Sequence, residues 1–271
     1  MRLVLITLMV LVAAGCGGQA RSGRSVVASF YPLAWAAQET GGAGVHVRNL
    51  TPPGAEPHDI ELTPREVGAI QKADVVLLLS HDFQPSVSDA ARDARGTVVE
   101  VGGPELPDPH VWLDPMRFAR VAERIGNALG RPRRGAALAT RIRRLDAEYR
   151  RGLAHCARRE FVTTHGAFAY LAARYGLKMV AITGIDPEAE ASPRKLASLA
   201  ALVRRDGVGT VFFERLVSPK LAETVAREAH VRTAVLDPIE GLTPAEQKAG
   251  VDYLVLMRQN LRALRLALRC T

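Results

Sequence analysis

From Ser25 onward the chain alternates short apolar runs, rich in β-branched residues, with segments of helical periodicity. This alternation is typical of βα units built around a largely parallel sheet. The predicted strands are Ser25–Ser29, Val45–Leu50, Asp74–Leu79 and Val98–Val101 in the first half, and Glu160–Thr163, Met179–Ile182, Thr210–Phe213 and Thr233–Leu236 in the second. The sequence therefore predicts an α/β fold of two lobes, each with a largely parallel sheet flanked by helices.

Helical patterns separate these strands, and a long helical stretch separates the two halves. The helices within the halves are predicted at Pro32–Thr40, Pro64–Lys72, Pro85–Ala94, Phe168–Tyr175, Pro193–Asp206, Pro219–Ala229 and Pro244–Leu268. Between the halves, one helix runs from Pro115 to about Leu129 and a second from about Arg133 to Ala154. The second carries only a narrow apolar stripe, which is typical of a rigid spacer. We therefore expect an N-terminal lobe at 25–131, a linker helix at 132–155 and a C-terminal lobe at 156–271.

The first sixteen residues indicate a compartment. Met1-Arg2 precedes an apolar run of about 18 Å as a helix, too short for a hydrocarbon core of about 30 Å. A charged start, a short apolar run and small residues before a break are typical of an export signal. Ala13-Ala14-Gly15-Cys16 resembles a bacterial lipobox, although ordinary cleavage beside an incidental cysteine is the alternative. We predict a signal peptide at 1–15, lipidation of Cys16, a tether at 16–24 and an extracytoplasmic protein anchored to the cell membrane.

The chain has three cysteines, and the two besides Cys16 are Cys156 and Cys270. Thiols outside the cytosol tend to pair, so we predict a disulfide between them. Two buried free thiols are the alternative.

The chain is basic, with a formal net charge of +8, and its arginines are concentrated around the predicted spacer. The cluster consists of arginines 131, 133, 134, 141, 143, 144, 150, 151, 158 and 159. A solvated helix face explains it simply, and attraction to anionic lipid headgroups is the alternative. Aromatic residues make up only 5% of the chain and are not interleaved with the arginines, which disfavours a nucleic-acid partner.

The sequence contains no His-Glu-x-x-His pair, P-loop or Gly-x-Ser-x-Gly elbow, so no local motif predicts an enzyme. Instead, His58, His110, His165 and Asp237 each follow a predicted strand. In open α/β sheets, ligands bind beyond the carboxyl ends of the strands. Because each half supplies two of these residues, we predict a metal site in the cleft between the lobes. A single loop histidine is more often a surface residue, and only the joint placement favours a site.

Further residues near these positions have weaker claims. Glu56 and Glu214 are candidates for hydrogen-bonding an imidazole from outside the ligand set, although loop solvation for Glu56 and an arginine pair for Glu214 are alternatives. His81 also follows a strand and is a rival ligand.

Several motifs then occur together and in order. They are Ser-Phe-Tyr-Pro-Leu-Ala at 29–34, Gly-Ala-Glu-Pro-His-Asp-Ile-Glu-Leu-Thr-Pro at 54–64, Asp-Pro-His-Val-Trp-Leu-Asp-Pro at 108–115, Thr-Thr-His-Gly-Ala-Phe-Ala-Tyr-Leu at 163–171 and Val-Leu-Asp-Pro-Ile-Glu-Gly-Leu at 235–242. Together they resemble the zinc/manganese solute-binding lipoproteins of bacterial ABC transporters over essentially all of the mature chain. The resemblance implies two α/β lobes on a rigid helix, a metal bound by His58, His110, His165 and Asp237, and an ABC permease as partner. It implies a binding protein, which we expect to be a monomer, and not an enzyme.

The ligand types bear on the metal. Three imidazoles and one carboxylate suit tetrahedral Zn²⁺, whereas Mn²⁺ lies at the weak end of the affinity series for such sites. In the family that the chain resembles, manganese members generally carry a carboxylate where His165 stands. We therefore predict Zn²⁺ as the bound metal, with Mn²⁺ as the alternative. A zinc-dependent hydrolase and a surface adhesin are the other open alternatives; the hydrolase lacks an obvious general base.

Overall fold

The computed structural model describes residues 23–80, 83–102, 108–187 and 189–271. The predicted signal peptide, Cys16 and His81 lie outside these ranges. Within them, the eight strands are β1 (Arg24–Ala28), β2 (Val45–Asn49), β3 (Val75–Leu79), β4 (Thr97–Val101), β5 (Glu160–Thr163), β6 (Lys178–Ala181), β7 (Thr210–Phe213) and β8 (Arg232–Val235). Each begins within one residue of its predicted start. No helix in these ranges is long and apolar enough to cross a membrane.

The strands form two separate parallel sheets of four, with the orders β2-β1-β3-β4 and β6-β5-β7-β8. This confirms the predicted fold class. The central strand β3 is buried along its whole length, as expected for a parallel strand covered on both faces. In both sheets the chain order reverses beside the first strand, so a crevice opens at the carboxyl ends of β1 and β5.

Helices follow the strands and begin at strong local signals. They are α1 (Tyr31–Gly41), α2 (Pro64–Lys72), α3 (Pro85–Ala91), α4 (Pro115–Ala128), α5 (Pro132–Gly152), α6 (Ala169–Arg174), α7 (Pro193–Arg205), α8 (Lys220–Ala229), α9 (Pro244–Ala249) and α10 (Tyr253–Leu268), with a 3₁₀ turn at Val111–Leu113. Thr63 and Thr243 each form a capping box with the glutamate three residues on. A cap followed by proline removes unpaired N–H donors, which fixes where α2 and α9 start.

The single helix predicted at Pro244–Leu268 is wrong, because the structure divides it into α9 and α10. Gly250 adopts a left-handed conformation with φ of 67° and ends α9. Asp252 then caps α10 by accepting the Val255 N–H at 2.8 Å. A left-handed glycine followed by an aspartate cap stops one helix and starts the next.

The spacer α5 and the C-terminal helix α10 join the two lobes through one continuous core. The Tyr149 hydroxyl of α5 donates to the carbonyl of Met257 in α10 at 2.6 Å. Tyr253, at the start of α10, stacks on Trp35 of the N-terminal lobe with ring centroids 4.9 Å apart. The last helix of the chain therefore packs against the first lobe, which restrains movement between the lobes.

Cys156 and Cys270 are joined by a disulfide, which confirms that prediction. The bridge ties the segment that enters β5 to the end of α10. Two arginines of the spacer pair with acids of neighbouring helices. Arg141 contacts Glu39 of α1, and the Arg143 guanidinium lies 2.6 Å from the Glu123 carboxylate of α4. These pairs accord with the predicted solvated helix face, and contact with lipid stays the alternative.

Candidate metal centre

Three histidines from three different loops meet in the cleft between the sheets. His58 follows β2, His110 precedes the 3₁₀ turn after β4, and His165 follows β5. The ring centroids of His110 and His165 lie 5.2 Å apart, and that of His58 lies 6.0 and 6.4 Å from them. His110 and His165 are fully buried. The structure therefore brings together the three imidazoles that the sequence selected.

The fourth member of this cluster is Glu240. One ligand atom from each of the four residues lies within 4.8 Å of all the others. The Glu240 Oε1 atom is 3.1 Å from Nε2 of His110, 3.5 Å from Nε2 of His58 and 3.7 Å from Nε2 of His165. Glu240 is only 1% exposed. Three imidazole nitrogens and a carboxylate oxygen thus face one small volume, with two residues from each lobe.

Asp237, the predicted fourth residue, lies outside the cluster, and that assignment is corrected. One of its oxygens contacts Arg215, and the other accepts the Ile239 N–H at 2.9 Å. Ile239 has a left-handed backbone with φ of 59°, which turns the chain so that Glu240 enters the cleft. The strand-end rule pointed to the correct loop, but it could not choose between two acids three residues apart. The left-handed residue between them has no sequence signal, since isoleucine rarely adopts that conformation.

Two carboxylates fix the orientation of two imidazoles. Nδ1 of His110 is 2.7 Å from Oδ1 of Asp108. The same oxygen accepts the backbone N–H of His110. Nδ1 of His165 is 2.7 Å from Oε1 of Glu214, and the Thr164 hydroxyl donates to the same oxygen. A carboxylate that holds the Nδ1 proton turns the opposite ring nitrogen, Nε2, toward the cluster as a potential metal ligand. Glu214 was predicted as such a partner, whereas Asp108 was missed.

Glu56 lies beside the cluster, but it contacts the backbone of His58 and not an imidazole, so its predicted role toward a ring nitrogen stays a prediction. Its Oε1 accepts the backbone N–H of His58 at 3.3 Å, and its Oε2 is buried with no hydrogen-bond partner among the described residues. Burial and the nearby charge of Glu240 raise the pKa of Glu56 to about 8. The side chain is therefore protonated near neutral pH and adds no second negative charge to the site.

The cluster contains a buried ion pair between His110 and Glu240. Burial by itself lowers the pKa of His110, but hydrogen bonds to Asp108 and Glu240 outweigh it and raise that pKa to about 9. Burial would raise the pKa of Glu240, yet the hydrogen bond from His110 and the neighbouring His58 imidazole lower it. At neutral pH a proton on His110 thus neutralises the Glu240 carboxylate. A divalent cation that takes the place of this proton would meet four donors already in position.

The chemistry of the donors fits a zinc ion. Nε2 of His58 is buried, lies 3.5 Å from Oε1 of Glu240 and has no hydrogen-bond partner among the described residues, so this nitrogen is available to a metal. Three nitrogens and one oxygen form a typical Zn²⁺ set, and they favour Zn²⁺ over Mn²⁺. Aromatic rings lie beside the imidazoles. The ring centroid of Phe83 is 4.4 Å from that of His58, and the ring centroid of Trp112 is 5.0 Å from that of His110. Apolar neighbours lower the local dielectric constant, which strengthens electrostatic attraction within the site.

Known proteins share both the sequence and this architecture. The profile of the family described as "ZnuA: Zinc-uptake complex component A periplasmic" matches residues 26–267. The zinc-binding protein AdcA of Streptococcus pyogenes is 34% identical over 284 residues, which cover 89% of this chain and 55% of that protein. This chain thus spans about half the length of AdcA.

A relative of similar length and a solved structure agree with these matches. The high-affinity zinc uptake system protein ZnuA of Bacillus subtilis is 30% identical over 305 residues, which cover 97% of this chain and 96% of that protein. The crystal structure of the Zn(II)-bound ZnuA-like domain of Streptococcus pneumoniae AdcA superposes with a TM-score of 0.78 and 33% identity, covering 91% of this chain and 99% of that domain.

Proposed function

The chain belongs to the ZnuA family of periplasmic zinc-uptake components, and from this premise we propose that it captures Zn²⁺ outside the cytoplasm and delivers it to an ABC permease. The observation that carries the proposal is the buried convergence of His58, His110, His165 and Glu240 in the cleft. The family component is a solute-binding protein, so zinc is its cargo.

The proposed ligands are Nε2 of the three histidines and a carboxylate oxygen of Glu240. Asp108 and Glu214 hold the Nδ1 protons of His110 and His165 and keep the opposite nitrogens directed inward. Since the lobes supply two ligands each, neither lobe alone provides the full set. Capture therefore depends on the lobes being held together, as the shared core provides.

Binding requires His110 to lose its proton. The ion pair of protonated His110 and ionised Glu240 leaves no unpaired buried charge in the cluster, which would be costly. Zn²⁺ replaces this proton, and the remaining contacts from Asp108 and Glu214 stay in place. The site thus exchanges the single positive charge of the proton for the two positive charges of Zn²⁺, with little rearrangement of the protein.

The same donors favour this function over the alternatives. A zinc hydrolase needs an open position for water, and four protein donors fill a tetrahedral shell. A manganese receptor is disfavoured by the three nitrogens. We therefore propose that the protein has no catalytic role.

Location and partners follow from the sequence and the family. We propose that Cys16 carries the lipid anchor after removal of residues 1–15, and that the binding protein acts as a monomer at the membrane surface. The lipobox-like Ala13-Ala14-Gly15-Cys16 supports this placement.

The test is a zinc competition titration with a chromophoric chelator, together with elemental analysis of protein purified without added metal. We expect one equivalent of zinc per chain. His110→Ala and His165→Ala are expected to weaken binding by more than about 100-fold, beyond the usual effect of residues outside the ligand set. The control is His46→Ala, at an exposed histidine of β2 outside the cluster. Parental affinity in both cluster variants would refute the ligand assignment.

A further inference from the structure

The loop that presents Glu240 is fixed by a set of buried contacts that do not involve the other three proposed ligands. We propose that Asp237 is a positioning residue for Glu240: its carboxylate, oriented by Arg215, holds the Ile239 N–H and so aims Glu240 at the cluster. This inference rests on the proposed function, since it assigns a support to the fourth proposed ligand.

The backbone just before Glu240 requires such support. Ile239 is buried and adopts φ of 59°, a left-handed conformation that β-branched residues avoid. Strained conformations of this kind persist only where several surrounding contacts impose them. Without those contacts the loop would relax, and the direction of the next side chain, Glu240, would change.

The carboxylate of Asp237 supplies the first of these contacts. Its Oδ1 accepts the Ile239 N–H at 2.9 Å, and its other oxygen contacts Arg215. Arg215 also contacts Glu246, the residue that completes the capping box of α9. The guanidinium is thus held from both sides, and it fixes the carboxylate that in turn fixes the backbone of Ile239.

The preceding residues of the loop are held as firmly. The side-chain amide of Asn260, in α10, accepts the Asp237 N–H at 2.9 Å and donates to the Asp237 carbonyl at 2.6 Å. The indole N–H of Trp112 donates to the Pro238 carbonyl at 2.6 Å. Residues 237, 238 and 239 each have a specific partner, so the loop reaches Glu240 with little freedom. A ligand ordered before the metal arrives avoids an entropy cost on binding.

The experiment is a double-mutant cycle on zinc affinity. Asp237→Ala should weaken binding about 10- to 100-fold, the range for groups that orient metal ligands. In a Glu240→Gln background the same change should alter affinity by less than about twofold, because Asp237 acts through the Glu240 carboxylate. Asp237→Asn, which keeps an oxygen acceptor for the Ile239 N–H, should recover most of the loss.

Controls separate positioning from general destabilisation. Asp146 is also a buried aspartate paired with an arginine, but it lies on α5, and Asp146→Ala should leave zinc affinity unchanged. If Asp237→Ala does not yield folded protein, Asn260→Ala enters the same cycle from the other side of the loop. It too should lose its effect in the Glu240→Gln background.

Two kinds of result would contradict these proposals, and they can be told apart. Additive losses in the cycle, or an Asp237→Asn variant as weak as Asp237→Ala, would overturn the positioning role. The failure of the proposed function is a different result, in which Glu240→Gln and the histidine variants bind zinc as tightly as the parent.

Discussion

His110 lies between two carboxylates, with Asp108 on Nδ1 and Glu240 near Nε2. These contacts raise its pKa to about 9, so the imidazole is protonated in the metal-free protein at pH 7. If zinc binds Nε2 as proposed, it must first displace that proton. The proton on a single residue therefore links zinc affinity to pH.

We predict that zinc affinity rises about tenfold per pH unit between about 7 and 9, and levels off above the pKa of His110. The measurement is zinc calorimetry in buffers of different ionisation enthalpy, which counts protons released on binding. Roughly one proton is expected from His110 at pH 7. Release of none would show that His110 is already neutral in the metal-free state.

A second prediction at this scale concerns Glu214, which holds Nδ1 of His165 at 2.7 Å. Glu214→Ala should weaken zinc binding about 10- to 100-fold, because the imidazole loses the group that fixes its tautomer and orientation. The matched control is Glu160→Ala in β5. This glutamate lies outside the cluster, and its Oε2 is 3.2 Å from Nζ of Lys178. Equal affinities of the two variants would contradict the role of Glu214.

At the scale of elements, helix α10 connects more of the molecule than its position at the chain end suggests. Its Tyr253 hydroxyl donates to the carbonyl of Trp112 at 2.5 Å, and its Asn260 binds the backbone of Asp237. These contacts join the turn after His110 to the loop before Glu240. The helix therefore braces the two loops that carry proposed ligands from opposite lobes, while the disulfide between Cys156 and Cys270 secures its far end.

Removal of this disulfide should destabilise the fold more than the site. We expect the Cys156→Ser, Cys270→Ser double variant to lose about 2–4 kcal/mol in free energy of unfolding, since the bridge closes a long loop of the unfolded chain. Denaturant unfolding of the metal-free protein measures this loss. Zinc affinity of the folded variant should stay within a few-fold of the parent, because the contacts of Tyr253 and Asn260 lie in the buried body of α10. A large loss of affinity would show that the bridge also sets the ligand geometry.

At the scale of the whole molecule, the buried ionisable groups make stability depend on pH. The pKa of His110 rises from 6.5 to about 9 on folding, and that of Glu56 from 4.5 to about 8. A raised pKa stabilises the folded state at low pH, and this contribution is lost as pH rises through the folded value. The lowered pKa of Glu240 acts only at acid pH, so it does not oppose this trend in the neutral range.

We predict that the melting temperature of the metal-free protein falls between about pH 6.5 and pH 9, the interval over which His110 loses its stabilising proton. Zinc in excess should raise the melting temperature at every pH in this interval by mass action. The rise should grow with pH, because zinc affinity increases over the same interval. Calorimetric scans with and without zinc test this, and a zinc-induced rise that shrinks with pH would contradict it.

The shared core also predicts little movement between the lobes. The backbone N–H of Gly54, in the loop before His58, donates to the Leu242 carbonyl at 2.8 Å across the cleft. The indole N–H of Trp112 likewise donates to the Pro238 carbonyl of the other lobe. Small-angle X-ray scattering should therefore give nearly equal radii of gyration with and without zinc. An expansion of several ångströms on zinc removal would show that the lobes separate despite these contacts.

Much of this architecture is present in the sequence. Periodicity and caps placed the eight strands within about one residue and located the spacer, because these features depend on neighbours along the chain. The carboxyl ends of the strands then selected His58, His110 and His165, which the structure brings together in one cluster. The strand-end rule applies to any parallel sheet, so it needed no tertiary detail.

Tertiary structure alone decided the fourth member of the cluster and its supports. Asp237 and Glu240 share one loop, and their roles depend on the left-handed turn at Ile239 and on Arg215, whose contact with Asp237 is not visible in the sequence. Asp108 became a partner of His110 for a similar reason, since its role depends on how the chain turns between them. Local periodicity in the sequence thus determined the strands and most of the helices, and the places after the strands indicated the three histidines. The direction of the final carboxylate depends on backbone dihedrals and on contacts between residues far apart in the chain, and only the folded molecule sets them.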